Sequence, residues 1–326
     1  MGITKPIIAL TILLMTGLST DMNNINSFIS NDNFYEVAKR GAWHEVDNHE
    51  KSRYKDGKTI PIYHQITTAP NLLYVKIPLE NTYVTDDMGM AAMEIDPLGN
   101  VVWERKAEEQ TYFGIAPLNK DELLLSLLSY NRLIKINKKT GEETLILNEG
   151  VRDVQVTSDG DILTVENSET SKVILLSQNG TVIWESKPTF YYPRGVWRKT
   201  DGNILVVDFN HKAYEIDYKS KKIIWEMGGF NHPNSIQEMK NSNYLIADEH
   251  NNRVIEINPS MKKIVRKYDK GLWSPNSARE LPNGDWLISD SDNHRVIQIN
   301  RMFNIVWELS NLNNPNRAVR YDLRVQ

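Results

Sequence analysis

The dipeptide Trp-Glu recurs at regular intervals: Trp103-Glu104, Trp184-Glu185, Trp225-Glu226 and Trp307-Glu308. The gaps of 81, 41 and 82 residues set a period close to 41, with the dipeptide missing from two slots near Thr144 and Arg266. Ile95, Ile136, Leu176, Ile216, Ile257 and Ile299 keep the same beat, each after a strand-like stretch. Seven openers share that register: Pro70, Tyr112, Asp153, Pro193, Pro233, Pro275 and Pro315. A chain repeating at this length has to stack its units, because one unit cannot bury its own apolar face.

Each unit reads as β. Between 231 and 270 lie four runs of five to seven residues, among them 243–248 (Asn-Tyr-Leu-Ile-Ala-Asp) and 253–258 (Arg-Val-Ile-Glu-Ile-Asn). They are rich in Val, Ile and Tyr and are broken by Asn, Gly, Asp and Pro. The turn after the first run carries glycine in several copies, as in Asp159-Gly160, Asp201-Gly202 and Asn283-Gly284. Such pairs tolerate positive φ and favour tight hairpins. Four antiparallel strands every 40 residues or so predict an all-β fold, a β-propeller of four-stranded blades. Ankyrin or TPR repeats would need a helical period, which is absent.

Six units run from position 70 to about 309, and a seventh opens at Pro315 with one strand's length of chain left. Strand-like stretches at 34–38, 42–46 and 59–66 can supply the outer strands of that last blade. The expectation is therefore seven blades, with the ring closed by the C-terminal strand; six remain if the N-terminal segment packs outside. Residues 34–326 form one domain on this reading. Lys5 and the apolar run 6–18 describe a secretory signal peptide or short anchor over 1–20, with a polar linker at 21–33. The expected location is exported: periplasmic, extracellular or on the cell surface, with membrane association only through that segment. A net charge of −4 leaves no basic footprint for nucleic acid. With no cysteine, disulfides, thiol catalysis and iron–sulfur chemistry are excluded.

The stretches 232–258 and 275–308 resemble arylsulfotransferase-type propellers, and are similar also to NHL repeats and to the Trp-docked blades of quinoprotein-like propellers. The residues that carry the likeness are Pro-Asn-Ser at 233–235 and 275–277, Arg-Val-Ile at 253–255 and 295–297, and Ile-Val-Trp-Glu at 305–308. The resemblance covers roughly 66–326. The arylsulfotransferase likeness implies a channel-facing histidine that carries a sulfuryl group, helped by further histidines and an arginine. His232 is the histidine at the start of an inner strand. His211, His250 and His294 fall in equivalent loops and read as turn residues.

What repeats reads as structure. The Trp rings on the last strand can wedge between neighbouring blades. Asp86, Glu166, Asp208, Asp248 and Asp290 close the second strand, and read as one turn-fixing hydrogen-bond device per blade. What departs from the repeat reads as function. At the inner-strand starts stand Asn71, Phe113, Arg152, Arg194, His232 with Asn234, Trp273 with Asn276, and Asn316 with Arg317; Arg279 follows farther along. The candidate catalytic residue is His232. The candidate substrate-binding residues are Arg194, Asn234, Trp273, Asn276, Arg279 and Arg317. Arginine forks suit sulfate, phosphate or carboxylate, and aromatic rings can stack on a ligand ring. No metal site or cofactor is expected. Two functions fit: an exported propeller binding an anionic or aromatic small molecule, or a protein partner, at its channel face, or an arylsulfotransferase-like transferase or lyase using the channel histidine.

Overall fold

The structure, a computed structural model, describes residues 67–69, 72–74, 80–106 and 111–320. Among them, six four-stranded antiparallel sheets stand around an axis. Blade 1 joins Pro315–Arg320 to Thr82–Asp86, Ala91–Ile95 and Val101–Lys106. Blade 2 is Tyr112–Pro117, Glu122–Leu127, Arg132–Asn137 and Glu143–Leu147. Blade 3 is Val151–Val156, Ile162–Glu166, Val173–Leu176 and Val182–Glu185. Blade 4 is Pro193–Arg198, Ile204–Asp208, Lys212–Ile216 and Ile223–Gly228. Blade 5 is Pro233–Glu238, Tyr244–Asp248, Arg253–Asn258 and Lys263–Tyr268, and blade 6 is Pro275–Glu280, Trp286–Asp290, Arg295–Ile299 and Ile305–Ser310. In each, the first-named strand is innermost and touches the inner strands of both neighbours.

The blade number corrects the expectation of seven. The segment after position 70, expected to open a blade, forms a short hairpin in which Leu72–Tyr74 pairs with Thr67–Ala69. The inner place beside Thr82–Asp86 is taken by Pro315–Arg320, in register from Pro315 against Asp86 to Arg320 against Thr82. The first and seventh units are thus parts of one blade. The N-terminal segments expected to supply outer strands, and the expected signal and linker, lie outside the described residues.

The repeated residues do structural work between blades. The turn glycines Gly160, Gly202 and Gly284 have φ of 82°, 90° and 82°, as the hairpins require. Trp184 and Trp225, on outer strands, donate their indole N–H to the carbonyls of Tyr218 and Pro259 on the next blade, both at 2.9 Å. Arg266 occupies one of the slots that lacks tryptophan. It makes the equivalent link, Nη2 to the Arg301 carbonyl at 2.9 Å. Apolar clusters fill the gaps between blades; Trp307, for example, lies buried among Val84, Met93, Ile95 and Leu287.

Candidate functional site

Every inner strand carries a one-residue bulge near its start. Pairing with the second strand slips between Val151 and Asp153, Pro193 and Gly195, Pro233 and Ser235, Pro275 and Ser277, and Pro315 and Arg317. The same slip falls between Tyr112 and Ile115 in blade 2. The unpaired residues, from blade 2 round to blade 1, are Phe113, Arg152, Arg194, Asn234, Asn276 and Asn316. A bulge re-aims its side chain and frees its backbone from the ladder. Here both consequences are used.

The freed carbonyls meet one guanidinium. Arg317, 1% exposed, donates Nη2 to the Arg194 and Asn234 carbonyls, both at 2.8 Å, and Nη1 to those of Asn276 at 3.0 Å and Asn316 at 3.4 Å. Its Nε reaches Asp153 Oδ1 on blade 3 at 3.1 Å. Blade 2 joins through Thr85, whose hydroxyl donates to the Phe113 carbonyl at 2.7 Å and accepts the Arg317 N–H at 3.1 Å. One side chain therefore floors the channel and links the inner strands. Arg279 lies beside it, donating to the Ile236 carbonyl at 3.1 Å, with Nη2 3.7 Å from Asp153 Oδ2. Burial holds its pKa down at about 10, against the pull of Asp153.

Above this floor Arg194, Asn234 and Asn276 rest against the loops that follow the second strands, and Arg152 rests against the bulge residue of blade 2. The Arg194 guanidinium lies 4.9 Å from the Phe209 ring centre, and that of Arg152 3.9 Å from the Phe113 ring. Asn234 donates Nδ2 to Glu249 at 2.9 Å and to the Asn276 amide oxygen, and Asn276 donates to Ser291 Oγ at 2.7 Å. Among the described residues neither Arg152 nor Arg194 has a carboxylate ion pair, and the buried Nε of each lacks an acceptor. Burial lowers the Arg194 pKa, with Glu249 opposing and Arg317 adding to the shift.

The repeated acids hold the loops that form the rim. Asp208, Asp248 and Asp290 accept the backbone N–H of Tyr191, Asn231 and Trp273 at 3.4, 2.7 and 2.8 Å. The next residues, Tyr192, His232 and Ser274, sit at φ of 44°, 51° and 54°, each just before the proline that opens the inner strand. Non-glycine residues in that region are strained, and an over-determined surround is what retains them. A second lock repeats between blades: the His232 N–H donates to His211 Nδ1 at 3.2 Å, and the Ser274 N–H to Asn252 Oδ1 at 2.8 Å. His211 is thus a turn residue, as its sequence position suggested.

The His232 ring, however, is not isolated. It stacks on His211 with centres 5.2 Å apart, meets Phe209 at 4.0 Å and His250 at 3.8 Å. His232 Nδ1 and His250 Nε2 are 3.2 Å apart, one donating to the other. Two of the histidines that read as turn residues thus flank it: the loops of blades 4 and 5 close on His232 from both sides. Desolvation, then the fields of His250, Arg194 and His211, lower its pKa to about 4, so the imidazole is neutral at pH 7. Among the described residues no three His, Asp or Glu side chains are arranged to hold a metal ion.

Of the residues singled out from sequence, Arg194, His232, Asn234 and Asn276 therefore gather at the mouth, and Trp273 stands 59% exposed on its rim. Arg279 and Arg317 lie beneath, bound to carbonyls and Asp153. Phe209, Glu249 and His250 were not singled out as site residues. The signal for the first two was the position just after each repeated acid, which varies as Asp87, Asn167, Phe209, Glu249 and Ser291 while the acid before it stays.

No family model matches the chain, and no curated protein matches it. Solved structures do. A protein of unknown function from Bacteroides caccae is 16% identical with a TM-score of 0.65, over 74% of this chain and 98% of that one. A chain of a nidogen/laminin complex is 13% identical with a TM-score of 0.57, over 73% and 97%. A catalytically inactive histidine-to-alanine variant of virginiamycin B lyase from Staphylococcus aureus, with quinupristin, is 14% identical with a TM-score of 0.51, over 85% and 88%. The likeness is one of fold. A shared fold does not carry function, which has to be argued from the site.

Proposed function

We propose that this is an exported ligand-binding propeller whose channel mouth takes a small anionic molecule with an aromatic part. The observation that carries the reading is the pair of guanidiniums, Arg152 and Arg194, on adjacent blades and without a carboxylate partner among the described residues. Desolvated arginine forks are suited to bidentate oxyanions. The exposed rings of Trp273 and Tyr191 offer flat apolar walls at the rim. The pairing of Pro315–Arg320 with Thr82–Asp86 supports closure of the ring by the C-terminal strand, which keeps the mouth rigid. Export rests on the signal-like run at 6–18. A thermal-shift panel of aryl sulfates, phosphates and carboxylates tests the binding reading. Stabilisation by an oxyanion that disappears in Arg194→Ala is expected; no response to any member of the panel overturns it.

A second reading, an arylsulfotransferase-like transferase or a lyase, is favoured by His232. A neutral imidazole at pH 7 is the basic and nucleophilic form. Its Nδ1 faces His250, leaving Nε2 for a substrate. The histidine-to-alanine change in the inactive lyase concerns a propeller of the same fold. If His232 acts so, His232→Ala abolishes turnover of an aryl sulfate while leaving its affinity within severalfold.

A further inference from the structure

We propose that the ligand of the channel mouth is bipolar: a carboxylate or comparable anion on Arg152 and Arg194, and an ammonium or N–H end on Asp87 and Glu249. This deepens the anion-site reading and rests on it. Charge around the mouth is sorted by blade. The guanidiniums stand on blades 3 and 4, and the carboxylates follow the second strands of blades 5 and 1. In a ring of six, blade 1 lies across the axis from blade 4, so Asp87 stands opposite Arg194. Among the described residues no ion pair joins either arginine to either acid.

Two further observations call for a donor on the acidic side. Asn234 is 1% exposed; its Nδ2 is engaged by Glu249 and Asn276, while its buried Oδ1 accepts nothing. A buried acceptor without a donor is costly, and a ligand N–H would satisfy it. Burial also pushes the Asp87 carboxyl up, with the Asn316 amide opposing and Asp86 adding to the rise. A carboxyl so placed gains from an arriving cation.

At the floor the channel is narrow enough for one guanidinium to touch carbonyls of four blades, so a short molecule carrying both charges is the probe of choice. A ligand that is only anionic would face Glu249 and Asp87 with like charge; one that is only cationic would face the arginines. Each single-sign ligand is disfavoured by one half of the mouth.

Calorimetric titration of the full chain with three probes tests the assignment: tryptophan, N-acetyltryptophan, which lacks the cation, and tryptophan methyl ester, which lacks the anion. Tryptophan is expected to bind at least about tenfold more tightly than either, equivalent to about 1.4 kcal/mol. Asp87→Asn should remove the preference over the N-acetyl form, and Arg194→Ala the preference over the ester; Glu249→Gln serves if Asp87→Asn does not fold. If N-acetyltryptophan binds as well as tryptophan, bipolarity falls while the anion site stands. If the ester binds as well, both fall. If none of the three binds at millimolar concentration, the bipolar assignment is overturned, and an aryl sulfate that still stabilises the protein leaves the anion site intact.

Discussion

Arg317 and Asp153, 164 residues apart in sequence, are hydrogen-bonded at 3.1 Å across the channel, each about 2% exposed or less. The link joins blade 1 to blade 3, while the same guanidinium binds carbonyls of blades 4, 5 and 6. Removing one partner of a buried pair leaves an uncompensated charge, at a cost of about 3–5 kcal/mol. Arg317→Met is therefore expected to lower the free energy of unfolding in urea by that amount. Arg317→Lys should recover only part of it, because an ammonium cannot fork to several carbonyls.

The interblade link of the outer strands predicts an interchange. Trp225 and Arg266 bind equivalent carbonyls, at Pro259 and Arg301. Trp225→Phe loses one hydrogen bond and should cost about 1 kcal/mol. Trp225→Ala loses the ring as well and should cost about 3–5 kcal/mol. Trp225→Arg is expected to melt between these two.

Gly195 occupies the position held by Asp153, Ser235 and Ser277 in other blades. A Cβ there would come within 2.8 Å of Ser235 Cα and 2.9 Å of the Asn234 carbonyl oxygen, both backbone. Gly195→Ala should force the inner strands of blades 4 and 5 apart and cost about 1–3 kcal/mol. Those strands present two of the Arg317 acceptors, so the loss should shrink in an Arg317→Met background.

His232 sets a pH dependence. Its pKa falls from 6.5 to about 4 on folding, so between those values the unfolded chain binds a proton that the native state refuses. Stability from this residue is therefore intact above pH 6.5 and declines as pH falls from 6.5 towards 4. Urea midpoints of the protein and of His232→Gln, compared at pH 7 and pH 4.5, should show a shallower acid loss in the variant. An equal loss in both would remove His232 as the cause.

Much of this was legible in the chain. The period of the Trp-Glu steps gave the blades, and the acids closing the second strands marked the turn device. Six of the variable residues at the inner-strand starts (Phe113, Arg152, Arg194, Asn234, Asn276 and Asn316) are the bulge residues, whereas His232, Trp273 and Arg317 are not. Blade number was not legible, because the Pro70 and Pro315 segments look alike and only pairing shows that Pro315–Arg320 takes the inner place. Nor was the division between floor and mouth. Arg194 and Arg317 lie in equivalent stretches, but a shift of one residue across the bulge turns one towards the mouth and the other into the axis. His250 was missed because its loop position reads as a turn, and only the pairing of Pro233 with Asp248 in blade 5 brings it beside His232.

The central claim is that the mouth arginines serve a ligand while the floor arginine serves the fold. Isothermal titration of 4-nitrophenyl sulfate into the protein and into the double variant Arg152→Ala/Arg194→Ala tests it most directly, with melting temperatures read alongside. Only the Arg194 carbonyl, which the variant keeps, enters the Arg317 network. The account predicts affinity weaker by about 1.5–3 kcal/mol, the range for hydrogen bonds to charged groups, with the melting temperature nearly unchanged. Undiminished affinity, or a collapse in melting temperature as large as that of Arg317→Met, would contradict it.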